Sequence, residues 1–275
     1  MYDVSGKTAV VTGAAGGMGL GMARSFANAG MNVVLADVDA EQVELAANGL
    51  RADGCNAIGT VTDVGDEAQV QALAATTLEH FGSVHVVANN AGIGIPGTVD
   101  EMPLDEWQWT LDVDLWGVIY GIRTFMPILK EQGEGHITAT SSQAGLVGGP
   151  VLGAYHVAKH GVVGLMDTVR IELKLAKSDV RASVLCPGAV DTQIAYSERN
   201  RPDGLETKEA NKLEEKYFAN LRSTLADGMA PDQVGDLVLD AVTNERFWIF
   251  THPEEAIDIV ERRLAAMKRD HAHRL

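Results

Sequence analysis

Two cysteines, Cys55 and Cys186, are all the thiol this 275-residue chain carries. They are too few and too far apart for a disulfide framework or a CxxC metal knuckle, so a reducing compartment fits and each reads as a small buried side chain. Long apolar runs are also missing. None reaches the roughly 18 residues a membrane span needs, and Met1-Tyr2-Asp3-Val4-Ser5-Gly6 has no basic-then-apolar leader pattern; a cytoplasmic protein is expected. Positive charge is scarce: 22 Lys and Arg face 38 Asp and Glu, a net charge of −16. A field of that sign repels phosphate backbones and anionic lipid, so neither nucleic acid nor a membrane surface is an expected partner. Apolar residues are not scarce. At 46% hydrophobic and 22% charged the chain has the composition of a folded globular protein.

Short β-rich runs alternate with segments of helical period. Thr8–Thr12, Asn32–Ala36, Ala57–Thr62, Val84–Ala88, His136–Thr140, Arg181–Cys186 and Phe247–Phe250 read as strands; Leu104–Lys130, Ala154–Lys177, Pro231–Val242 and Pro253–Asp270 read as helices. This alternation predicts an α/β fold, a doubly wound parallel sheet with helices on both faces, formed as one domain over residues 1–275. A polar stretch through Ser197–Gly204 and a charged helical run break the rhythm, and residues 192–228 read as an insertion beside a cleft.

Thr12-Gly13-Ala14-Ala15-Gly16-Gly17-Met18-Gly19 follows a strand and opens a helix, where a dinucleotide pyrophosphate would meet the helix N-terminus. The spacing is G-x-x-x-G-x-G, not the general G-x-G-x-x-G. Asp37 ends the second strand, about where an acid hydrogen-bonds a ribose hydroxyl; it would repel a 2′-phosphate, which favours NAD over NADP. The alternative reading is an Asp that merely caps the helix starting near Asp39. Tyr155 and Lys159, at i and i+4, share one helix face. The phenol needs a nearby cation to reach a phenolate able to take an alcohol proton, and Lys159 supplies one. Ser142, just after a strand, can orient a substrate oxygen. No metal site is expected: none of the eight histidines lies in HExxH, His156 and His160 lack a carboxylate partner in their motif, and His271-Ala272-His273 reads as a polar tail.

With these residues in view, the chain resembles the short-chain dehydrogenase/reductase superfamily along nearly its whole length. The motifs occur in the family's order: Thr12-Gly13 to Gly17-Met18-Gly19, Asp63-Val64, Asn89-Asn90-Ala91-Gly92, Ser142, Tyr155 with Lys159, and Pro187-Gly188-Ala189-Val190-Asp191-Thr192. The resemblance implies that Asp63 and Val64 contact adenine, that Asn89 to Gly92 (Asn90, Ala91 and Gly92 foremost) line the cofactor, and that Pro187, Gly188, Val190 and Thr192 embrace the nicotinamide. It implies Tyr155 as acid/base, Ser142 as substrate positioner, and Lys159 as ribose ligand and pKa-lowering charge. One position departs. Where the family has a catalytic Asn, this chain has Asp114, in Val113-Asp114-Leu115-Trp116-Gly117. In the family the residue holds a relay water through its backbone carbonyl, a contact indifferent to the side chain. Asp114 is therefore expected to serve in the same place, while its carboxylate favours the protonated Lys159 and shifts the pH at which oxidation becomes fast.

Three apolar, Gly-rich segments are expected to border the nicotinamide end: Ile93–Pro96, Leu146–Leu152 and the insertion. Ile95, Val147, Leu152, Ile194 and Tyr196 are the candidate substrate contacts, beside Ser142, and a bulky hydrophobic secondary alcohol or its ketone is the expected substrate. Glu198-Arg199-Asn200-Arg201-Pro202 and the helical run after it also look like the lid of bacterial enzymes that oxidise benzylic alcohols of lignin-derived biaryls. Two other functions are kept. A non-catalytic NAD-binding regulator is disfavoured by the intact Ser142, Tyr155 and Lys159; an acyl-carrier ketoreductase is disfavoured by Asp37 and the acidic surface. Apolar residues on both sides of the long helices, including Trp107, Trp116, Ile119 and Val163, predict a homo-oligomer, with a tetramer expected.

Overall fold

The computed structural model describes residues 3–272 except 203 and 206–208. Asp203 of the insertion and His273 of the tail lie outside the described residues. The chain runs β1 (Thr8–Thr12), α1 (Gly17–Asn28), β2 (Asn32–Asp37), α2 (Ala40–Ala52), β3 (Ala57–Val61), α3 (Glu67–Phe81), β4 (Val86–Asn89), α4 (Leu104–Leu111) and α5 (Gly117–Gln132). It continues through β5 (Gly135–Thr140), α6 (Gly153–Leu175), β6 (Val180–Cys186), α7 (Lys212–Ala226), α8 (Pro231–Thr243), β7 (Trp248–Phe250) and α9 (Pro253–Ala272).

The strands form one seven-stranded sheet in the order β3-β2-β1-β4-β5-β6-β7, every pair parallel. The strand order reverses direction between β1 and β4, which opens a crevice beyond their carboxyl ends. Alternation along β1 divides the core. Ala9 and Val11 face Phe26 of α1, Val43 of α2 and Val238 of α8, whereas Val10 faces Leu73 of α3, Phe125 of α5 and Met166 of α6. Phe26 and Phe125 are among the largest fully buried side chains on either side. Truncating either to Ala would cost about 3–5 kcal/mol.

The expected helix from Leu104 to Lys130 is not continuous. A π-helical turn, Asp112–Trp116, separates α4 from α5. The extra residue changes the register of the inward face, so that Asp114 is fully buried while Trp116 is 43% exposed. Such a turn leaves the 3.6-residue hydrophobic pattern nearly intact, and the pattern alone does not reveal it.

α1 and α8 meet through glycines. A Cβ on Gly21 would stand 2.2 Å from the Pro231 carbonyl oxygen, and one on Gly235 would stand 2.2 Å from the Gly21 carbonyl oxygen. The two backbones thus touch directly, and α8 fixes the helix on which the glycine loop ends.

Candidate active site

The glycine loop is shaped by backbone contacts. Gly13 has φ +66° and a Cβ there would lie 2.8 Å from Ala91 Cα; one on Gly19 would lie 2.0 Å from the Gly13 carbonyl oxygen. No other residue fits either place. At Gly16 a Cβ would meet open space, and the first turn of α1 carries neither an acidic residue nor a side-chain cap. The first N–H groups of a helix are left without intrahelical partners and carry the positive end of its dipole, which suits a pyrophosphate. Met18 lies in the first turn of α1, partly buried.

Thr12 ties this loop to the next motif, a role the sequence reading missed. Its hydroxyl accepts the backbone N–H groups of Asn90 (2.9 Å) and Ala91 (3.1 Å). Asn90 Nδ2 donates to the Thr12 carbonyl at 3.0 Å, and its Oδ1 accepts from the Thr140 hydroxyl at 3.1 Å. Asp37 accepts the Ala15 N–H at 3.0 Å and the Asp39 N–H at 3.1 Å. The cap of α2 is Asp39 itself, bonded to the Gln42 N–H, which frees Asp37 from the capping role. Asp63 is exposed and accepts from Gly65, whereas Val64 is buried against Gly117. Pro187 is buried after β6, Gly188 donates to the Thr251 hydroxyl at 2.9 Å, and Val190 bridges to Met229. Thr192 closes the ring: its Cγ2 would sit 3.2 Å from a Cβ on Gly17. Residues from five separate stretches thus gather at the carboxyl ends of the strands, beside the point where the strand order reverses.

At the other end of the crevice α6 presents Tyr155 and Lys159. Ser142 acts on Tyr155 to lower its pKa, and its Oγ caps a short 3₁₀ turn by accepting the Ala144 N–H at 3.0 Å. Lys159 Nζ lies 5.3 Å from the Tyr155 ring centre and donates to the Thr140 carbonyl at 3.2 Å. Its own backbone carbonyl accepts from the Ser141 hydroxyl at 2.8 Å, which pins this turn of α6 to the end of β5. Neither Thr140 nor Ser141 stood out in the sequence, because a backbone carbonyl and a hydroxyl in the two residues before Ser142 carry no motif.

Asp114 joins this group through its side chain. Oδ1 accepts the Ile93 N–H at 2.7 Å. Oδ2 lies 3.3 Å from Lys159 Nζ, a close ionic contact whose angle falls short of a directed hydrogen bond. Gly92 runs alongside: a Cβ there would stand 3.2 Å from Nζ and 3.5 Å from Oδ1. Burial pushes the Asp114 carboxyl above its usual range, opposed by Lys159 and the Ile93 N–H. Burial works to lower Lys159, but Asp114 and Tyr155 outweigh it and hold the ammonium. Burial raises Tyr155, and Asp114 raises it further, while Lys159 and Ser142 work in the other direction.

The substrate contacts expected from sequence separate into two groups. Leu152 and Ile194 pack with Tyr155, Ala195, Tyr217, Phe218 and Leu221, an apolar wall that the insertion lays over the tyrosine. Val147 is half-buried in the loop before α6. Ile95 instead packs with Met102, Trp109 and Ala154 in a separate cluster and is only 2% exposed. Tyr196 is 46% exposed and faces Arg222, 4.7 Å from its ring centre. Neither lines that wall: Ile95 is drawn inward by Trp109, and the kink at Tyr196 turns its ring outward.

An ion pair that the sequence did not signal anchors the insertion. Arg201 donates to Glu106 of α4 at 2.8 Å and to Glu198 at 2.7 and 2.8 Å, and its guanidinium lies 5.4 Å from the Trp109 ring centre. Glu106 is nearly fully buried, and burial raises its pKa against the opposing effect of Arg201. Ser197 adds a second tie, accepting the Gly94 N–H at 3.0 Å. Among the described residues there is no cluster of three or more metal-ligating side chains and no helix long and apolar enough to cross a membrane.

Comparison with known proteins agrees with this geometry. The family model for short chain dehydrogenases matches residues 7–203. A CLA biosynthesis dehydrogenase/reductase of Lactiplantibacillus plantarum is 31% identical, the match covering 92% of this chain and 91% of that protein. A C alpha-dehydrogenase of Sphingobium sp. is 34% identical over 92% of this chain and 83% of its own. The crystal structure of a short chain dehydrogenase/reductase from Burkholderia phymatum, in complex with NAD, superposes with a TM-score of 0.95 at 39% identity, covering 98% of this chain and 97% of that one. The chain belongs to the short-chain dehydrogenase/reductase family of oxidoreductases.

Proposed function

We propose that the protein is an NAD-dependent dehydrogenase that interconverts a bulky hydrophobic secondary alcohol and its ketone, acting in the cytoplasm as a homotetramer, with residues 192–228 as the lid of its substrate site. The observation that carries this reading is the placement of Tyr155. Its ring lies 5.3 Å from Lys159 Nζ and packs against a wall formed by Leu152, Ile194 and Phe218. The NAD-bound relative and the dehydrogenase names among the relatives support it.

The residues fit a dinucleotide. The open N-terminus of α1 would hold the pyrophosphate, Asp37 the adenosine ribose, Val64 and Asp63 the adenine side, and Gly188 to Thr192 the nicotinamide side. When bound, NAD would accept the hydride that leaves the carbinol carbon, and Lys159 would help to hold its nicotinamide ribose. Ser142 orients the alcohol oxygen and Tyr155 takes the hydroxyl proton, while the charge of Lys159 favours the phenolate. The apolar wall excludes water and favours an uncharged substrate. In the reverse direction Tyr155 returns the proton to the ketone oxygen.

A panel of aryl, alicyclic and long-chain secondary alcohols, assayed with NAD and with NADP through the absorbance of the reduced nicotinamide, tests the reading. Turnover of a bulky apolar alcohol with NAD is expected. No turnover with any alcohol, alongside intact NAD binding, would favour the regulator instead. The tetramer is supported by apolar side chains exposed on α6, Val157, Ile171 and Leu175, and by Trp116 at the π-helical turn; a monomeric mass by light scattering would reject it.

A further inference from the structure

The departure at residue 114 has a geometry of its own. The π-helical turn swings Asp114 under Gly92, fully buried, with one carboxylate oxygen bonded to the Ile93 N–H and the other 3.3 Å from Lys159 Nζ. A neutral amide here could keep the bond from Ile93 but would bring no charge to the ammonium. The carboxylate therefore does two separable things: it holds a backbone N–H in place and it compensates the cation on which Tyr155 depends.

We propose that the Asp114 carboxylate is a counter-charge built against Lys159, which moves the pH at which Tyr155 becomes an effective base upward relative to a neutral side chain at the same position. The inference rests on the reading of Tyr155 as the acid/base and makes Asp114 a positioning residue that acts through Lys159. Lys159 donates an N–H to the Thr140 carbonyl and is ion-paired with Asp114, and its charge reaches the Tyr155 ring across 5.3 Å. A negative charge 3.3 Å from that ammonium, in a dry site, cancels much of the field it exerts on the phenol. The proton taken from an alcohol is thereby held more firmly on Tyr155, which suits a donor to a ketone at neutral pH and a base at alkaline pH.

No other charge near the tyrosine duplicates this effect. Ser142 stabilises the phenolate by hydrogen bonding, Tyr217 of α7 is a second neutral phenol, and the buried Cys186 thiol of β6 is pushed up to about 12 and stays protonated. Asp167 bears on Cys186 from farther along α6. His156, next to Tyr155, turns its Nδ1 to the Ala144 carbonyl at 2.9 Å.

The test is a titration read in two ways. The near-ultraviolet absorbance of tyrosinate, taken as the difference between protein with Tyr155 and the matching Tyr155→Phe protein, follows this phenol without substrate or cofactor. It is measured in the parent and in Asp114→Asn, together with the pH profile of kcat/KM for one good alcohol. Asp114→Asn is expected to move both the Tyr155 titration and the acid limb of the profile to lower pH by about one unit. Asp114→Ser, also neutral and able to accept from Ile93, should move them the same way, and covers the case in which the amide does not fold. Superimposable curves in parent and variants would overturn the proposal, since the carboxyl would then carry no charge in the working range. Loss of rate at every pH with the titration unmoved would also overturn it, by placing the carboxyl in the proton path itself. A parent that turns over no alcohol would refute the proposed reaction, while the absorbance titration would still decide the role of Asp114.

Discussion

Around the glycine loop the contacts that set the shape are made mainly by backbone, Gly13 against Ala91 and Gly19 against the Gly13 carbonyl, with the N–H groups of Asn90 and Ala91 gathered on the Thr12 hydroxyl. Around the substrate wall they are made by side chains: Arg201 between Glu106 and Glu198, Ser197 on Gly94, and Leu152 against Ile194 and Phe218. The first region binds a ligand common to a whole family, so its geometry is written in residues with no freedom to vary. The second must fit one substrate, and side-chain packing can be exchanged without disturbing the sheet. A cofactor half of backbone and a substrate half of side chains should respond differently to substitution.

Tyr155 stands on the seam, and its loss should have the largest effect. Tyr155→Phe is expected to lower kcat by about 10²–10⁴-fold while isothermal titration still shows NAD binding; purified variant with near-parental turnover would end its role as the acid/base. Gly19→Ala sharpens the comparison from the cofactor side. The added methyl would meet a carbonyl oxygen at 2.0 Å, so the loop must shift, at a cost of about 1–3 kcal/mol. Dinucleotide affinity is expected to fall about tenfold or more, a change that equilibrium binding would report without any substrate.

From the substrate side, Glu106→Ala removes one carboxylate from Arg201 and leaves Glu198. Charge-assisted bonds of this kind contribute about 1.5–3 kcal/mol, and the loss should appear as a raised KM for alcohol and a lowered melting temperature. NAD affinity should be unchanged. If NAD binding weakened as much as alcohol binding, the division of the cleft into two independent halves would be wrong. The smallest effect is expected at Asp37, a side chain of the cofactor half that accepts the Ala15 N–H of the glycine loop. Asp37→Ala should narrow the preference for NAD over NADP by about tenfold, about 1.4 kcal/mol, seen in the two cofactor Michaelis constants; a parent that uses both equally would remove the basis for the assignment.

The same contrast explains what could be read from the sequence. Strand positions were legible because buried parallel strands are short apolar runs between helical segments, and β1, β5 and β6 lie within a residue of their expected bounds. The backbone-built half was legible because glycines forced by geometry leave a fixed spacing, as at Gly13, Gly17 and Gly19. The side-chain-built half was not. Arg201 and Glu106 are far apart in the chain and each is an ordinary charged residue of its segment, while Ile95 and Tyr196 have the composition of a pocket without its position. The π-helical turn escaped for another reason: one residue inserted into a helix changes which side chain points inward without changing the composition of the face.

The parallel sheet imposes an order on how the molecule comes into being. Val10 of β1 sits between Val34 on one side and Val87 on the other, and Val87 in turn pairs with Ile137. Among the described residues no neighbouring strands are joined by a tight turn; each pair waits for a crossover segment to be made and folded back. Lys159 meets Asp114 and Thr140 only after β5 and α6 have emerged during synthesis. Until then the nascent chain carries Asp114 in water, and the desolvation of both charges comes late, with the docking of α6. A chain halted on the ribosome before α6 therefore has the glycine loop and five of the seven strands but no Tyr155, and the edge of β5 that β6 will cover stays unpaired.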